Sequence, residues 1–227
     1  MKTLYLMRHG ETLFNVHHKN QGWCDSPLTE RGHAQARIAG RHLRELSVHP
    51  DHFFSSTSER ASDTLEDVCL EAYGTIPPYE RLRGLKEWNF GAYEGEDNFL
   101  NPAPPFGDFF VPYGGDSQET LVARMRATTE EIMSRPDVTC ALAVSHGAAC
   151  ANFIRSWKDE SVVQYRPGVK NCSIFTFAYD EGAHIFSCID IFESDFAERL
   201  GRLPRDKAAA PCTHKDAWRR LLCMGRS

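Results

Sequence analysis

Leu4-Tyr5-Leu6-Met7-Arg8-His9-Gly10-Glu11-Thr12 opens the chain. A short apolar run stopped by Arg-His-Gly reads as a buried strand that delivers charged side chains at its carboxyl end. Ala143-Val144-Ser145-His146-Gly147 repeats the form, and a helical pattern follows it at once. In open α/β sheets, ligands bind beyond the carboxyl ends of the strands. A helix N-terminus in that place favours an anion. Two His-Gly pairs at strand exits therefore predict one shared pocket.

The rest of the chain supplies the frame. Residues 3–7, 52–55, 139–144, 172–178 and 185–191 read as strands, with a weaker extended stretch over 85–88. Thr29 is placed to cap a helix over 30–46, with Ala36, Ala39, Leu43 and Leu46 on one stripe. Ser58 is placed to cap a helix over 59–72. Asp116 and Glu119 have capping-box spacing for a helix that runs to 134, and another helix spans 148–157. Asp180-Glu181-Gly182 joins the last two strands as a hairpin. Strands alternating with helices predict an α/β fold with a largely parallel sheet.

Two segments stand apart. Residues 95–115 hold Pro102, Pro104, Pro105 and Pro112 with Phe99, Phe106, Phe109, Phe110 and Tyr113, and read as a lid-like insertion. Residues 199–227 carry a net charge of +6, against −11 for residues 1–198. The expected organisation is a catalytic domain over 1–198 and a basic tail over 199–227. In the tail, Thr213 and Asp216 have capping-box spacing before Trp218, Leu221 and Leu222.

Composition excludes several classes. The chain has 227 residues, 41% hydrophobic and 25% charged, as expected of one globular unit. No apolar run approaches the roughly 18 residues that a membrane span needs. The net charge of −5 is unlike that of a general nucleic-acid binder. The eight cysteines form no C-x-x-C pair and read as reduced thiols. Together with an opening apolar stretch too short for a secretory signal, they predict a cytoplasmic location. Oligomeric state has no sequence signal.

The chemistry follows from residue type. Arg60 stands at the first turn of the helix after the 52–55 strand, and joins Arg8, His9 and His146 at the strand exits. Two arginines suit a phosphate, because the guanidinium fork matches two phosphate oxygens. Neutral imidazole is a nucleophile toward phosphorus. The leaving alkoxide needs a proton, and Glu87 in Leu85-Lys86-Glu87-Trp88 is the candidate acid, since a neighbouring dianionic phosphate favours its protonated form. Taken singly, each residue has a blander structural explanation. Their order, spacing and strand-end positions reverse that judgement. His9 and His146 would also suit a metal, but Arg8 and Arg60 would repel a cation, so no metal or cofactor is expected.

Arg8-His9-Gly10-Glu11-Thr12 resembles the signature of the histidine phosphatase superfamily, the phosphoglycerate-mutase-like proteins. Further ordered blocks carry the resemblance over about residues 2–192: Asn15, Gln21-Gly22-Trp23-Cys24-Asp25-Ser26-Pro27-Leu28-Thr29-Glu30-Arg31-Gly32, Ser55-Ser56-Thr57-Ser58-Glu59-Arg60-Ala61, Glu87-Trp88-Asn89-Phe90-Gly91-Ala92-Tyr93-Glu94-Gly95 and Val144-Ser145-His146-Gly147. The resemblance implies a three-layer α/β/α sandwich on a mixed, mostly parallel six-stranded sheet. It implies that His9 becomes phosphorylated, that Arg8, Arg60 and His146 hold the phosphoryl group, and that Glu87 is acid and then base. It also implies that Asn15, Gln21 and Gly22 line the phosphate pocket. Gly147 stands where the acid-phosphatase branch has Asp, so the chain resembles the mutase-type branch.

Within that branch the sequence favours hydrolysis over isomerisation. A cofactor-dependent mutase holds a bisphosphoglycerate with cations from an insertion after the Glu block, but residues 95–123 contain no Lys or Arg. Phe90-Gly91-Ala92-Tyr93-Glu94-Gly95 and Asp25-Ser26-Pro27-Leu28-Thr29 resemble the phosphatase versions of their blocks. The expected function is hydrolysis of a small phosphomonoester, without nucleic acid or membrane as partner. The alternatives are a cofactor-dependent phosphoglycerate mutase and a catalytically silent phosphate- or protein-binding module. The aromatic residues of the insertion either cover an apolar leaving group or pack the insertion onto the domain. His17-His18 reads as a solvated loop, and Cys24, near the pocket in sequence, as a candidate for oxidation.

Overall fold

The structure, a computed structural model, describes residues 1–163 and 168–193. The tail and the expected boundary at residue 198 lie outside the described residues, as does the capping box at Thr213. Among the described residues no helix is long and apolar enough to cross a membrane.

The opening run forms β1 (Lys2–Arg8), which ends on the charged residues as its sequence requires. A four-residue helix α1 (Leu13–Val16) follows, closed by a capping box between Thr12 and Asn15. The sequence reading held no helix there. α2 (Glu30–Glu45) starts where Thr29 Oγ1 accepts the Gly32 N–H at 3.0 Å. Its stripe buries Ala36, Ala39 and Leu43, but Leu46 caps the C-terminus and is 57% exposed. β2 (His52–Ser56) leads to α3 (Glu59–Tyr73), which stops at left-handed Gly74.

β3 (Glu80–Leu82) corrects the expected strand at 85–88: Arg83–Leu85 is a 3-10 turn, and residues 86–88 pair with no strand. After the insertion comes α4 (Gln118–Ser134). Its cap is Ser117, which accepts the Thr120 N–H at 3.0 Å, and not Asp116. The Asp116 carboxylate instead takes the Asn89 N–H and an Arg124 Nη2 donor, at 3.2 and 3.1 Å. β4 (Cys140–Ser145) runs directly into α5 (Gly147–Ser156). Cys172 adopts a positive φ of 56°, so β5 (Ile174–Asp180) begins two residues later than expected. β6 (Ile185–Phe192) completes the hairpin.

The six strands lie in the order β3-β2-β4-β1-β5-β6. β3, β2, β4 and β1 are mutually parallel, while β5 runs antiparallel to both β1 and β6. β4 is buried on both faces, which explains its unbroken apolar run. Leu4, Leu6, Ala141 and Ala143 meet α4 and α5 in the main core. The α2–α3 pair, with Ala39, Leu43, Leu65 and Val68 buried, forms the opposite layer.

The register decides where the chemistry falls. β1 and β4 are neighbours with Arg8 opposite Ser145. Their exits, Arg8-His9 and Ser145-His146, therefore emerge side by side at one end of the sheet.

The insertion packs rather than dangles. Phe110 is fully buried, in edge contact with Trp88, Phe90, Tyr93, Phe106 and Phe109 at centroid distances of 5.0 to 6.3 Å. Phe99 is 77% exposed, and Leu100, Val111 and Tyr113 are also exposed. The first part of the insertion is stapled to the loop after α1. Asn20 and Asn101 exchange two amide hydrogen bonds of 2.9 and 2.7 Å, and Lys19 Nζ lies 2.7 Å from Asp97.

Candidate active site

His9 leaves β1 with its ring almost fully buried. Nδ1 lies 2.7 Å from the Gly10 carbonyl oxygen. A carbonyl only accepts, so Nδ1 carries the proton and Nε2 keeps its lone pair. Burial, followed by the charges of Arg60 and Arg8, holds the His9 imidazole well below its ordinary range. The ring is therefore neutral at pH 7, with the Nε2 lone pair left on the nitrogen that Gly10 does not hold.

His146 stands beside it, ring centroids 5.2 Å apart. Its Nε2 is 2.8 Å from Ser56 Oγ at the end of β2. Burial, then Arg60 and His9, hold it too well below the usual range. We expect the ring signals of both histidines to keep their neutral NMR shifts from pH 7 down to about pH 5.5, where an ordinary imidazole of pKa about 6.5 is mostly protonated. The sign follows for stability. The unfolded chain takes up these protons first, so stability falls as pH drops below about 6.5, by about 1.4 kcal/mol per pH unit for each ring. Signals that titrate near pH 6.5 would remove the argument for a neutral nucleophile.

Arg60 is fully buried at the first turn of α3. Nη1 donates to the Cys24 carbonyl at 3.0 Å and to Asp25 Oδ1 at 2.8 Å, and Nη2 donates to the Gly22 carbonyl at 2.9 Å. Arg8 Nη1 donates to the Val169 carbonyl at 2.5 Å. Three nitrogens at this point are buried without a partner: the Arg8 and Arg60 Nε donors and His146 Nδ1. An unsatisfied buried polar atom costs about 1–3 kcal/mol, so such a cluster calls for an acceptor. A tetrahedral anion supplies several acceptor oxygens at once.

Glu87 faces the same site from the 86–88 segment. Its Oε1 accepts the N–H groups of Trp88 and Ala149 at 2.9 and 2.8 Å, and Oε2 accepts that of Ala148 at 2.9 Å. The carboxylate thus sits at the N-terminus of α5. Arg124 on α4 fixes the segment behind it, donating to the carbonyls of Gly84, Lys86 and Glu87 at 2.7 to 3.0 Å.

Arg8, His9, Asn15, Gln21 and Glu87 line one cavity of about 400 Å³. Arg60 and His146 adjoin His9 but do not reach that surface. Asn15 Oδ1 takes the Thr12 N–H and an Asn171 amide donor at 3.2 and 3.1 Å. Gln21 is held by Thr12 and Ser26. The Gly22 N–H points to Glu94 Oε2 at 3.0 Å, and an added Cβ there would stand 2.1 Å from the Trp88 carbonyl. Glu94 also accepts the N–H groups of Trp23, Cys24 and Phe90 at 2.7 to 3.1 Å, so one carboxylate shapes the 22–24 turn.

Sequence reasoning assigned no role to Glu94, Ser56 or Arg124. It also passed over Asn152 and Arg155, which line the cavity with Gly147, Ala148 and Ala151. That signal was available, because these positions follow helical spacing down one face of α5 from the His146 exit. Burial and the Glu94 carboxylate push the Cys24 thiol up to about 12, so it is no reactive thiolate at neutral pH. His17 and His18 are exposed, as expected. Among the described residues no group of three or more His, Cys, Asp and Glu is placed to hold a metal ion.

Known proteins resemble this chain in sequence and fold. A probable phosphoglycerate mutase of Salmonella choleraesuis is 30% identical over 82% of this chain and 89% of its own length. The crystal structure of a phosphoglycerate mutase from Bacillus anthracis superposes with a TM-score of 0.72 at 25% identity, covering 83% of this chain and 92% of that one. YhfR of Bacillus stearothermophilus gives 0.70 at 28% identity, covering 83% and 95%. The family model of the histidine phosphatase superfamily, branch 1, matches residues 4–190, and the chain belongs to that superfamily.

Proposed function

We propose that this protein is a metal-independent phosphomonoester hydrolase acting through a phosphohistidine on His9. The observation that carries the reading is the hydrogen bond from Nδ1 to the Gly10 carbonyl, which leaves the Nε2 lone pair as the nucleophile of a neutral ring. The His9 Nε2 lone pair attacks phosphorus, the ester P–O bond breaks, and the leaving oxygen takes a proton from Glu87. Oε2 holds one backbone donor against two at Oε1, so Oε2 is the freer oxygen for this exchange. Water then attacks the P–N bond's phosphorus, gives its proton to Glu87, and frees phosphate and neutral His9. The unpartnered Arg8 Nε on the cavity wall and the Arg60 charge behind His9 support stabilisation of the developing negative charge.

The insertion is aromatic and carries Glu96, Asp97 and Asp108 but no Lys or Arg, which supports hydrolysis over isomerisation, since it offers no cation to a bisphosphoglycerate. The mutase reading has its own support: the relatives named above, and the placement of Lys19 and Arg155 on the cavity wall from outside the insertion. A panel of phosphomonoesters assayed in chelator separates the two. Phosphate release without isomerisation of 3-phosphoglycerate is expected. Isomerisation with little phosphate release, stimulated by bisphosphoglycerate, would establish the mutase instead.

Glu87→Gln is expected to slow alkyl phosphates at least tenfold more than p-nitrophenyl phosphate, whose leaving group needs little protonation. Equal losses on both would remove Glu87 as general acid.

A further inference from the structure

We propose that the cavity takes the phosphate ester of a neutral polyhydroxylated alcohol, a sugar or polyol phosphate; the inference rests on the hydrolase reading. Beyond His9 and Glu87, carboxamides recur along the wall, beside three cations and an aromatic group. Asn20 and Asn101 face each other as a reciprocal amide pair across the staple, which fixes both. Asn152 is oriented by donating to the Ala148 carbonyl at 2.8 Å. Asn98 and Gln118 also line the cavity, and neither side chain bonds any described residue.

A carboxamide offers an acceptor and two donors, which complements a hydroxyl that both donates and accepts. Among the described residues that line the cavity, Glu87 is the only carboxylate, so no second acidic group repels a phosphate ester. Two of the three cations on the wall, Lys19 and Arg155, have other partners. Lys19 is committed to Asp97 at 2.7 Å. Arg155 is an exposed rim residue, with Nη1 directed to Asn152 at 3.4 Å. Phe106, with Trp88 and Phe90, supplies an apolar wall of the same cavity. Aromatic and amide side chains in one cavity suit a ring or chain that carries both C–H groups and hydroxyls. The volume of about 400 Å³ lies at the lower end of small-molecule sites, roughly 300–1,000 Å³. Asn98, Asn101 and Phe106 come from the insertion, so this segment sets substrate choice.

The test compares the phosphates of glucose, ribose and glycerol with p-nitrophenyl phosphate, 3-phosphoglycerate and phosphoserine. At least one sugar or polyol phosphate is expected to have the highest kcat/KM among the non-activated esters. Asn98→Ala and Gln118→Ala are each expected to lower its selectivity over p-nitrophenyl phosphate about five- to tenfold, the loss of one hydrogen bond made to a hydroxyl. Equal losses on both esters, or a preference for the carboxylate-bearing esters, would overturn the proposal while leaving the hydrolase standing. Calorimetric titration of the His9→Ala protein gives a readout without turnover, in which the sugar phosphate is expected to bind more tightly than 3-phosphoglycerate. Phosphate release from no ester at all, by contrast, would defeat the hydrolase reading itself.

Discussion

His9→Ala is expected to lower phosphate release by about four orders of magnitude or more, the scale on which loss of a covalent nucleophile is felt. The substitution removes Nε2 and leaves the surrounding donors in place. Phosphate binding should therefore survive while turnover does not. Substrate mixed briefly with the intact enzyme and quenched in alkali should yield a base-stable, acid-labile phosphoryl protein, and the variant should yield none. A variant that kept a tenth of the activity would sink the phosphohistidine mechanism, because water alone would then be doing the displacement.

Arg60→Met should cost both stability and rate. The side chain is fully buried, and its removal strips donors from the Gly22 and Cys24 carbonyls and from the Asp25 carboxylate. Breaking a buried charged network in this way costs about 3–5 kcal/mol. The loss is read as a lower urea midpoint at unchanged slope. Turnover should fall by about 10³-fold, as when a preorganised charge at a developing anion is removed. A third effect separates these causes. The Arg60 charge is one of the influences that depress His9, second only to burial. Without it, protonation of the ring becomes easier, and the acid limb of the pH–rate profile must move to higher pH. A profile unmoved by the substitution would mean that Arg60 acts on the fold alone.

The sequence announced the site better than the sheet that carries it. Arg8, His9, Arg60 and His146 end strands or begin helices, and each marks itself by putting a polar side chain where apolar periodicity stops. Glu80-Arg81-Leu82 shows no such pattern. It is an edge strand of three residues, two of them exposed, and only its pairing with β2 makes it a strand. Leu85 drew the expectation instead, because a fully buried leucine looks alike on a strand and on a 3-10 turn. Asp116 has the spacing of a cap, but Arg124, nearly two helical turns into α4, holds its carboxylate. Local spacing cannot express that competition. Glu94 is a similar case, since its four backbone donors come from two segments far apart in sequence.

The place of β1 has a consequence for synthesis. β1 lies in the interior of the sheet, and its partners are residues 140–145 and 174–179. β2, too, needs β4 for its second neighbour. A growing chain therefore cannot close the sheet until most of it has left the ribosome, and the long loop must be closed before any native pairing of β1 rewards it. Arg8 and His9 meet His146 in that same late step. Catalytic competence thus arrives together with the cooperative fold, and a chain that stops short of β4 has neither.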